Sequence, residues 1–395
     1  MRVEILPSVA RGKVCAPPSK SAAHRLMIAA ALSKGCNVFG VESSEDIDAT
    51  LSCLKTLGAN IKEQNGGLQL GKLSPLNIPE CCIDCRESGS TLRFLIPLCL
   101  MGGNTVTLKG HGRLLERPLT EYQQLCDEHG FVFELDRDEL KVKGKLQSGY
   151  YRINGGRSSQ FITGMLFALP LLEGDSVLEI EGEQSLSYIE LTLQVLSEFG
   201  IQIEKAGNIF SIRGGQRYQA SDVTVEGDWS NAAFLEALNV LGGDVTVTGL
   251  KEDSVQGDKI YREYFEKMGR ETLDLSDCPD LAPILFALAS LSGGSFTGCA
   301  RLRLKESDRI AAMQAELLKC GVVLEAKGED VTVLPVDLHA PSVDIDGHND
   351  HRIVMAMSVL LSKLGGRIEG AQAVDKSWRG FFDNLRLLNI RITEE

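Results

Sequence analysis

The chain has 395 residues, of which 43% are apolar and 24% charged, the balance of an ordinary globular protein. Its length favours two domains of about 200 residues each. Its formal net charge of −13 argues against binding to nucleic acid or to an anionic membrane surface. Any anionic substrate would therefore need a local cluster of basic side chains.

Neither a targeting segment nor a membrane span is predicted. The N-terminal sequence MRVEILPSVARGKV has no apolar h-region, and apolar runs such as residues 161–172 are too short to cross a bilayer. The eleven cysteines show one C-x-x-C spacing, Cys82 to Cys85, without a second pair that would complete a zinc site. We therefore expect a cytoplasmic protein with reduced thiols, which binds neither nucleic acid nor a membrane.

One pattern recurs six times along the chain: a polar or charged cluster, an apolar run of helix length, a glycine-rich turn and an alternating strand. The apolar runs begin SAAHR, SGSTL, SSQFI, SNAAF, DLAPI and DHRIV. The copies are about 70 residues apart, except for a shorter gap between the fourth and fifth. The glycines expected to close the runs are Gly35, Gly103, Gly174, Gly243, Gly294 and Gly366.

Most copies continue with a second, amphipathic helix and one or two more strands, so the repeating unit is predicted to be βαβαββ. The short gap predicts that the fourth copy has lost most of its closing hairpin, around residues 269–278. We predict an α/β (α+β) fold with two similar domains of three copies each. The first helix of each copy, apolar nearly all round, should be buried, and the amphipathic one should cover the outside.

Residues suited to N-capping precede or open the apolar runs. A helix N-terminus offers unpaired N–H groups and the positive end of a dipole, which together attract anions. The expected caps are Ser21, Ser88, Ser158, Ser230, Asp280 and Asn349.

Basic residues collect near the same helix starts and in a few other motifs. Any one of them alone would ordinarily be a solvated surface charge, but recurrence at equivalent places in an acidic chain favours a substrate with more than one anionic group. These residues are Lys20, Arg25, Arg93, Arg157 and Arg352 at the helix starts, and Arg117, Arg303, Lys305, Arg309 and Lys376 elsewhere.

Two carboxylates stand out. Asp280 opens the fifth apolar run and is either a helix cap or a buried acid or base. Glu306, in KESDR, belongs either to a solvated ion-pair face or to the charged wall of a site. The six histidines have no metal-ligand spacing, so no metal is expected, and the lack of a G-x-x-x-x-G-K-[ST] loop argues against an NTP-dependent kinase.

The motifs PPSKSAAHR, RSSQF, LERP, KESDR and NDHR, followed by the segment around Lys376, resemble in order and approximate spacing those of the 5-enolpyruvylshikimate-3-phosphate (EPSP) synthase family. The resemblance covers essentially the whole chain. It implies two domains that close over a central cleft, the first built from residues 1–18 and 229–395 and the second from 19–228. It also implies a monomer that needs no cofactor.

The resemblance implies two small-molecule substrates, shikimate 3-phosphate and phosphoenolpyruvate. The residues implied for shikimate 3-phosphate are Lys20, Ser21, Arg25, Ser158, Ser159, Gln160, Ser185, Asp280 and Lys305. Those implied for phosphoenolpyruvate are Lys20, Gly89, Arg117, Gln160, Glu306, Arg309, Arg352 and Lys376.

The implied reaction is an addition followed by an elimination. The 5-hydroxyl of shikimate 3-phosphate attacks C2 of phosphoenolpyruvate while C3 takes up a proton, and loss of that proton and of phosphate leaves an enol ether. Asp280 is the candidate base toward the hydroxyl, and Lys20 and Glu306 are the candidates for proton transfer at C3.

The chain departs from the family pattern at a few positions. The motif N-[AS]-G-T is ESGS here, with Glu87 for Asn and Ser90 for Thr. Phe94 replaces a proline found in many members, and Arg301 replaces an asparagine found in some. These changes concern substrate affinity and the response to the family's inhibitor, glyphosate. We expect Glu87 to pair with a cation such as Arg93 or Arg117, or else to stay protonated.

Three alternative functions fit the sequence less well. The sister transferase that acts on UDP-N-acetylglucosamine shares the fold, but has K-N where this chain has Lys20 and Ser21. An RNA 3′-phosphate cyclase would suit a basic surface, which the net charge of −13 disfavours. A non-catalytic repeat scaffold would have no use for cations at its helix starts.

Overall fold

The computed structural model describes residues 1–64, 66–182 and 186–395. This part of the chain divides into two compact units. The terminal unit combines Met1–Ser19 with Gly227–Glu395, and the central unit consists of Lys20–Glu226. Among the described residues, no helix has both the length and the apolar character needed to cross a membrane.

The α-helices are α1 (Lys20–Leu32), α2 (Glu45–Thr56), α3 (Gly89–Cys99), α4 (Thr120–His129), α5 (Ser159–Ala168), α6 (Leu186–Glu198), α7 (Trp229–Val240), α8 (Tyr261–Lys267), α9 (Ala282–Ser292), α10 (Arg309–Leu318), α11 (His351–Leu364) and α12 (Phe381–Leu387). The strands are β1 (Arg2–Leu6), β2 (Arg11–Cys15), β3 (Cys36–Phe39), β4 (Asn60–Gln64), β5 (Gly67–Gly71), β6 (Cys81–Asp84), β7 (Val106–Lys109), β8 (Val132–Leu135), β9 (Glu139–Lys143), β10 (Tyr150–Asn154), β11 (Ser176–Glu181), β12 (Ile203–Ala206), β13 (Ile209–Ile212), β14 (Val223–Thr224), β15 (Asp244–Thr248), β16 (Thr272–Asp274), β17 (Gly294–Thr297), β18 (Leu324–Lys327), β19 (Asp330–Val333), β20 (Ile345–Asp346), β21 (Gly366–Glu369) and β22 (Arg391–Glu394).

The predicted βαβαββ unit is confirmed by the sheets. In the second copy the strand order is β6-β7-β9-β8, with β6 parallel to β7 and the other two pairs antiparallel. Helix α3 connects the parallel pair, and α4 precedes the hairpin of β8 and β9. The sheets β10-β11-β13-β12 and β16-β17-β19-β18 repeat this order. The α/β fold with three copies in each unit follows from this repetition.

The remaining sheets are completed by strands from distant parts of the chain. In the central unit, β14 lies parallel to β3 and supplies the first strand of the first copy. In the terminal unit, β1 pairs with both β21 and β22, and β2 pairs in parallel with β15. In the described part of the chain the sheet of β2 and β15 has only these two strands, which confirms that the fourth copy lacks its closing hairpin.

The apolar helices are buried, as predicted, and their amphipathic partners are not. In α9 every residue from Ala282 to Ser290 is buried, and in α11 every residue from His351 to Ser362. Helix α10, by contrast, buries only part of its surface. A helix that is apolar on all sides is most stable when other elements surround it and keep its side chains from water. Helices α9 and α11 therefore form the centre of the terminal unit.

Two of the three predicted helix caps of the central unit are right, and those of the terminal unit are displaced. Ser88 and Ser158 cap α3 and α5 by accepting bonds from backbone N–H groups. In the terminal unit the predictions of Ser230 and Asn349 were wrong. There, a carboxylate one or two residues earlier or later takes the position: Asp228 caps α7 and Asp350 caps α11. Asp competes well with Ser and Asn as a cap, because its charge also interacts with the helix dipole.

The ends of α9 and α11 also differ by one residue from the prediction. Gly293 and Gly365 end these helices with positive φ angles of 78° and 79°. Gly294 and Gly366 instead begin β17 and β21. The left-handed region is open to glycine without steric cost, so the first glycine of each pair ends the helix.

Candidate active site

Helix α1 brings three of the predicted residues to one place. Lys20 is its first residue and Ser21 lies in its first turn, so the prediction of Ser21 as a cap was wrong. The Lys20 Nζ atom lies 2.7 Å from Oδ2 of Asp46, in the first turn of α2. Both side chains are mostly buried. The ammonium of Lys20 is therefore held in place by a carboxylate that the sequence did not single out.

Arg25, one turn further along α1, is buried among neutral oxygen atoms. Its side chain donates from Nε to Thr192 Oγ1 at 2.8 Å and from Nη1 to the Ser21 carbonyl at 2.8 Å. Nη2 donates to the Tyr188 carbonyl at 3.2 Å and to Thr163 Oγ1 at 3.4 Å. Within the described ranges no carboxylate forms an ion pair with Arg25, so its positive charge is left for a ligand to balance.

The environment of Arg25 reflects this lack of a counter-charge. Burial lowers the pKa of Arg25 to about 10, which still leaves it charged at neutral pH. Its guanidinium carbon lies 5.1 Å from the centre of the Phe94 ring. Phe94, a departure from the family pattern, therefore supplies a face that attracts a cation.

A second cluster of the central unit surrounds Gly89. A Cβ atom at this position would lie 2.8 Å from Nη1 of Arg93, 3.2 Å from Nη1 of Arg117 and 3.4 Å from Oε1 of Gln160. Gln160 accepts from Arg93 at 2.9 Å and donates to Ser90 Oγ at 3.0 Å. Three residues predicted for phosphoenolpyruvate thus meet here, and Arg93, absent from that set, belongs with them.

Other predicted residues of the central unit lie at the start of α5. Ser158 Oγ accepts from the Gln160 backbone N–H at 3.3 Å, and Ser159 is the buried first residue of the helix. Ser185 lies outside the described residues. Arg157, by contrast, is half exposed, and its Nε lies 3.6 Å from Oε1 of the buried Glu121.

A chain of neutral hydrogen bonds connects α1 and α2 to the first turn of α3. Thr91 donates its hydroxyl to Ser88 at 2.7 Å, and the Thr50 and Thr91 hydroxyls are 2.6 Å apart. Thr50 must then donate to Thr91 and accept from His24 Nδ1, at 2.7 Å. Burial, followed by the charges of Lys20 and Arg25, keeps the pKa of His24 well below its usual value. His24 is therefore neutral, with its proton on Nδ1.

The terminal unit concentrates its charges on Arg309, the first residue of α10, whose side chain is 1% exposed. Nη1 donates to Asp280 Oδ1 at 2.7 Å, Nη2 to Glu306 Oε2 at 2.9 Å, and Nε to Asp350 Oδ2 at 3.0 Å. Burial lowers the pKa of Arg309, but the three carboxylates outweigh it and raise the pKa. A buried guanidinium surrounded in this way is fixed in position and stays charged.

Asp280 is not a helix cap. It lies in the 3₁₀ turn Pro279–Leu281, and α9 follows without a side-chain cap. Besides Arg309, its carboxylate meets Lys305 Nζ at 3.2 Å and Arg352 Nη2 at 3.7 Å. Burial raises the pKa of Asp280, but Lys305, Arg352 and Arg309 outweigh it and hold the pKa well below the usual range. Of the two alternatives that the sequence left open, the helix cap is therefore wrong, and the role of Asp280 as an acid or base stays a prediction.

Arg352 and Lys376 complete the terminal cluster. Arg352 is 4% exposed, and its guanidinium lies 5.5 Å from the centre of the Phe234 ring. Its Nε and Nη1 atoms have no hydrogen-bond partner among the described residues. Lys376 is equally buried and donates to the Asn349 carbonyl at 2.7 Å. The unsatisfied donors of Arg352 favour an anionic ligand at this place.

Asp258 is a further titratable group near this cluster that the sequence did not indicate. It is buried in the 3₁₀ turn Gly257–Ile260. Burial, and then the negative charge of Asp280, raise the pKa of Asp258 to about 7. Two neighbouring carboxylates thus have pKa values shifted in opposite directions, an arrangement typical of functional sites.

Glu87 lies on the loop before α3, and its carboxylate packs against the backbone of Gly112. A Cβ atom at Gly112 would lie 2.9 Å from Oε2 of Glu87, and Gly112 has a φ of 55°. The expected pairing of Glu87 with Arg93 or Arg117 stays a prediction.

No group of three or more His, Cys, Asp or Glu side chains in the described part of the chain is arranged to hold a metal ion. The charged clusters instead contain the cations Lys20, Arg25, Arg309 and Arg352, which suits the recognition of organic anions.

Comparison with known proteins was made at three levels. A model of the EPSP synthase (3-phosphoshikimate 1-carboxyvinyltransferase) family matches residues 7–273 and 271–385. A 3-phosphoshikimate 1-carboxyvinyltransferase of Clostridium kluyveri is 40% identical over 419 aligned residues, which cover 99% of this chain and 98% of that protein. The enzyme of the same name from Clostridioides difficile is 37% identical, with coverage of 99% and 98%.

The solved structures agree at the level of the fold. An EPSP synthase structure from Acinetobacter baumannii superposes with a TM-score of 0.77 at 23% identity, and the match covers 100% of both chains. The fold class predicted from the repeats is thereby confirmed. The family model and the relatives at 37% to 40% identity show that the chain belongs to the EPSP synthase (3-phosphoshikimate 1-carboxyvinyltransferase) family.

Proposed function

We propose that the basic clusters of the two units carry out the reaction that defines the family. The chain is a 3-phosphoshikimate 1-carboxyvinyltransferase, an enzyme of the shikimate pathway of aromatic amino-acid biosynthesis. It transfers the enolpyruvyl group of phosphoenolpyruvate to the 5-hydroxyl of shikimate 3-phosphate and releases phosphate. The assignment of individual residues below is our proposal.

Shikimate 3-phosphate would be bound through its phosphate by Arg25 and the start of α5. Among the described residues Arg25 has only neutral partners, so a dianionic phosphate would supply the counter-charge that these partners lack. The hydroxyls of Ser158 and Ser159 and the amide of Gln160 lie at the helix N-terminus, which adds N–H donors and a favourable dipole. Ser21 and Ser185 complete this set by family resemblance, as do Lys20 and Lys305, whose cations would serve the same substrate.

Phosphoenolpyruvate would be bound by two sets of cations. The first is the cluster around Gly89, where the missing side chain leaves room for a ligand beside Arg117 and Gln160. The second comprises Arg309, Arg352 and Lys376. Arg352 supports this role most directly, because two of its guanidinium nitrogens have no hydrogen-bond partner among the described residues. Guanidinium groups suit carboxylate and phosphate alike, since they bind both in a bidentate manner.

The observation that carries the proposal is the ionised Asp280 among Lys305, Arg309 and Arg352. Because its pKa is lowered, this carboxylate is a weak base as long as no substrate anion shares its three cations. Substrate anions that share the cations would weaken their hold on Asp280 and raise its pKa. Binding would thus convert Asp280 into the base that accepts the proton of the 5-hydroxyl.

Proton transfer at C3 of phosphoenolpyruvate would fall to Lys20 and Glu306. Lys20 is paired with Asp46 and Glu306 with Arg309, and these ion pairs would fix the positions of the two groups. The addition and the elimination need only proton transfers and stabilisation of negative charge. We therefore propose that the reaction proceeds without a metal or an organic cofactor.

We further propose that the enzyme acts as a monomer in the cytoplasm. All eleven cysteines, which the described ranges include, are free thiols, as suits a reducing compartment. Light scattering coupled to size-exclusion chromatography tests the monomer, and a mass near twice 43.0 kDa would contradict it.

The function is tested by phosphate release from the purified protein. We expect release when phosphoenolpyruvate and shikimate 3-phosphate are both present and none when either is omitted. Replacing shikimate 3-phosphate with UDP-N-acetylglucosamine should abolish release. Release with the nucleotide sugar, or with phosphoenolpyruvate alone, would overturn the assignment.

A further inference from the structure

The segment 346–350, between β20 and α11, has an unusual backbone. His348 and Asn349 both have positive φ angles, 49° and 51°, although neither is glycine. Gly347 has no room for a side chain, because a Cβ atom there would lie 2.8 Å from Val354 and 2.9 Å from the Gly370 carbonyl. Successive left-handed residues other than glycine are unfavourable in isolation and persist only where surrounding contacts hold them.

This segment positions the cations of the terminal cluster. The Asn349 carbonyl accepts from Lys376 Nζ at 2.7 Å. The next residue, Asp350, accepts from Arg309 Nε at 3.0 Å and from the backbone N–H of Arg352 at 2.9 Å, where it caps α11. Three cations that we propose to bind phosphoenolpyruvate therefore take their positions from two adjacent residues.

Glu316 holds the segment in turn. It is a residue of α10 whose side chain is 2% exposed. Its Oε2 accepts from the Asp346 backbone N–H at 2.8 Å and from Lys319 Nζ at 2.6 Å, and its Oε1 lies 2.9 Å from His348 Nε2. Both ends of the three-residue stretch 346–348 are thus tied to one carboxylate.

Glu316 and Arg309 lie on the same helix, about two turns or 10 Å apart. Glu316 therefore acts at a distance from the cluster. Helix α10 carries Arg309 as its first residue, and through Glu316 it also holds the segment that contains Asn349 and Asp350. A buried carboxylate that accepts from three charged or N–H donors would be left unsatisfied if these hydrogen bonds were broken, at a large cost in free energy. The link is therefore rigid.

We propose that Glu316 and His348 are positioning residues, which hold segment 346–350 in the conformation seen here and thereby place Arg352 and Lys376 for phosphoenolpyruvate. The inference rests on the proposed function, because the roles of these two cations are part of it. Neither Glu316 nor His348 contacts a group that we assign to a substrate.

The charges around His348 make the link sensitive to pH. Its Glu316 partner raises the pKa of His348 against burial, with Asp346 adding to the rise and Lys319, on α10, opposing it. Burial raises the pKa of Glu316, but His348, Lys319 and the Asp346 N–H outweigh it and lower the pKa. A raised histidine pKa means that the ionic part of the link is complete in acid and is lost as the pH rises through that pKa.

The test compares Glu316→Gln and His348→Gln with the wild-type enzyme in the phosphate-release assay. We expect Glu316→Gln to lose at least about tenfold in kcat/KM for phosphoenolpyruvate, with KM for shikimate 3-phosphate much less affected. His348→Gln should lose less, and its loss of kcat/KM relative to wild type should be largest near pH 6 and shrink toward pH 9. Glu263→Gln is the matched control, since it removes an exposed helical ion pair with Lys267 in the same unit.

Equal kcat/KM in Glu316→Gln and wild type would overturn the inference, as would a loss of thermal stability without a change in the kinetics of the folded protein. If Glu316→Gln does not fold, His348→Gln decides the matter, because a packing role predicts a ratio that does not change with pH. Absence of phosphate release from the wild type would instead overturn the proposed function.

Discussion

The central and terminal units both contain basic clusters, yet they provide opposite partners for the cations. Among the described residues, Arg25 of the central unit donates only to hydroxyl and carbonyl oxygens. Arg309 of the terminal unit donates to three carboxylates. The difference indicates a division of work: the first cation keeps its charge for a ligand, and the second sets the protonation and position of acidic groups.

The supporting networks differ in the same way. In the central unit the helix starts are joined by the neutral chain from His24 through Thr50 and Thr91 to Ser88. In the terminal unit they are joined by ion pairs such as that of Arg309 with Asp350. Neutral hydrogen bonds can fix a geometry without consuming a nearby positive charge, whereas carboxylates fix it by compensating that charge.

The largest effect is expected from Asp280→Asn, which keeps the shape of the residue and removes the proposed base. Turnover should fall by about 10² to 10⁴-fold, the usual contribution of general base catalysis. Because its cations hold the pKa of Asp280 below the unfolded value, the ionised group stabilises the fold above that value. The variant should therefore be less stable at neutral pH, and the difference should narrow as the pH falls through the folded pKa.

Single-turnover kinetics and urea unfolding from pH 3 to 8 measure both effects of this change. Asp383→Asn provides the control, since Asp383 is exposed and pairs only with a surface arginine among the described residues. An active Asp280→Asn enzyme with reduced stability would show that the carboxylate has a structural role and is not the base.

The second prediction tests the comparison directly, through the stability of Arg309→Gln and Arg25→Gln without ligands. Removal of Arg309 leaves three carboxylates close together and should cost about 3 to 5 kcal/mol. Removal of Arg25 relieves a buried charge that has only neutral partners, so stability should change by less than about 1 kcal/mol. Arg25→Gln should instead weaken the binding of shikimate 3-phosphate by about 10 to 100-fold, the usual effect of losing a hydrogen bond to a charged group.

Urea unfolding of both variants and titration calorimetry with shikimate 3-phosphate give the required values. Equal losses of stability would mean that the two cations do not differ in kind. Unchanged affinity in Arg25→Gln would remove this residue from the phosphate site.

The sequence was sufficient for the architecture because the repeat is strong. The six apolar runs, spaced at a nearly constant interval, predicted the βαβαββ unit and even the lost hairpin of the fourth copy. Ser88 and Ser158 could be predicted as caps since each is the polar residue directly before its run. In NDHR two neighbouring residues can cap a helix, and Asn349 was preferred wrongly over Asp350.

The partners of the functional residues could not be predicted in the same way. Asp46 and Asp350 hold Lys20 and Arg309 from 26 and 41 residues away along the chain, and nothing in the local sequence indicates either pairing. Glu316 looks like an ordinary exposed residue of an amphipathic helix until the structure shows it buried. Counter-charges are a property of tertiary contacts, so the sequence identifies the cations and leaves their partners open.

The third prediction concerns Lys20→Met, which removes the ammonium and keeps most of the apolar stem. We expect a loss of at least about 10²-fold in turnover, the range for removal of one preorganised charged donor. Asp46 loses its partner as well, so the phosphoenolpyruvate KM should rise through repulsion. Steady-state kinetics measure both, with Lys34→Met, an exposed residue just beyond α1, as control. Near-normal turnover in folded protein would remove Lys20 from the site.

The smallest effect is expected at Glu87, the clearest departure from the family pattern. An ionised carboxylate facing a bound anion would cost about 1 to 4 kcal/mol for charges about 4 Å apart. The structure places the Glu87 carboxylate against Gly112, a position that only a residue without a side chain permits. We predict that it is turned toward that loop and balanced by a nearby arginine, so the substrate meets little of its charge.

Glu87→Asn should therefore tighten the binding of phosphoenolpyruvate and glyphosate by no more than a few-fold, or leave it unchanged, without loss of turnover. Titration of each ligand at saturating shikimate 3-phosphate measures this, and Glu128→Asn, exposed on α4, controls for a general change in charge. A gain in binding free energy close to the full electrostatic repulsion between the carboxylate and the bound anion would mean that Glu87 faces the ligand. Markedly weaker binding of both ligands would give Glu87 a positive role, because its charge would then orient the arginines that bind them.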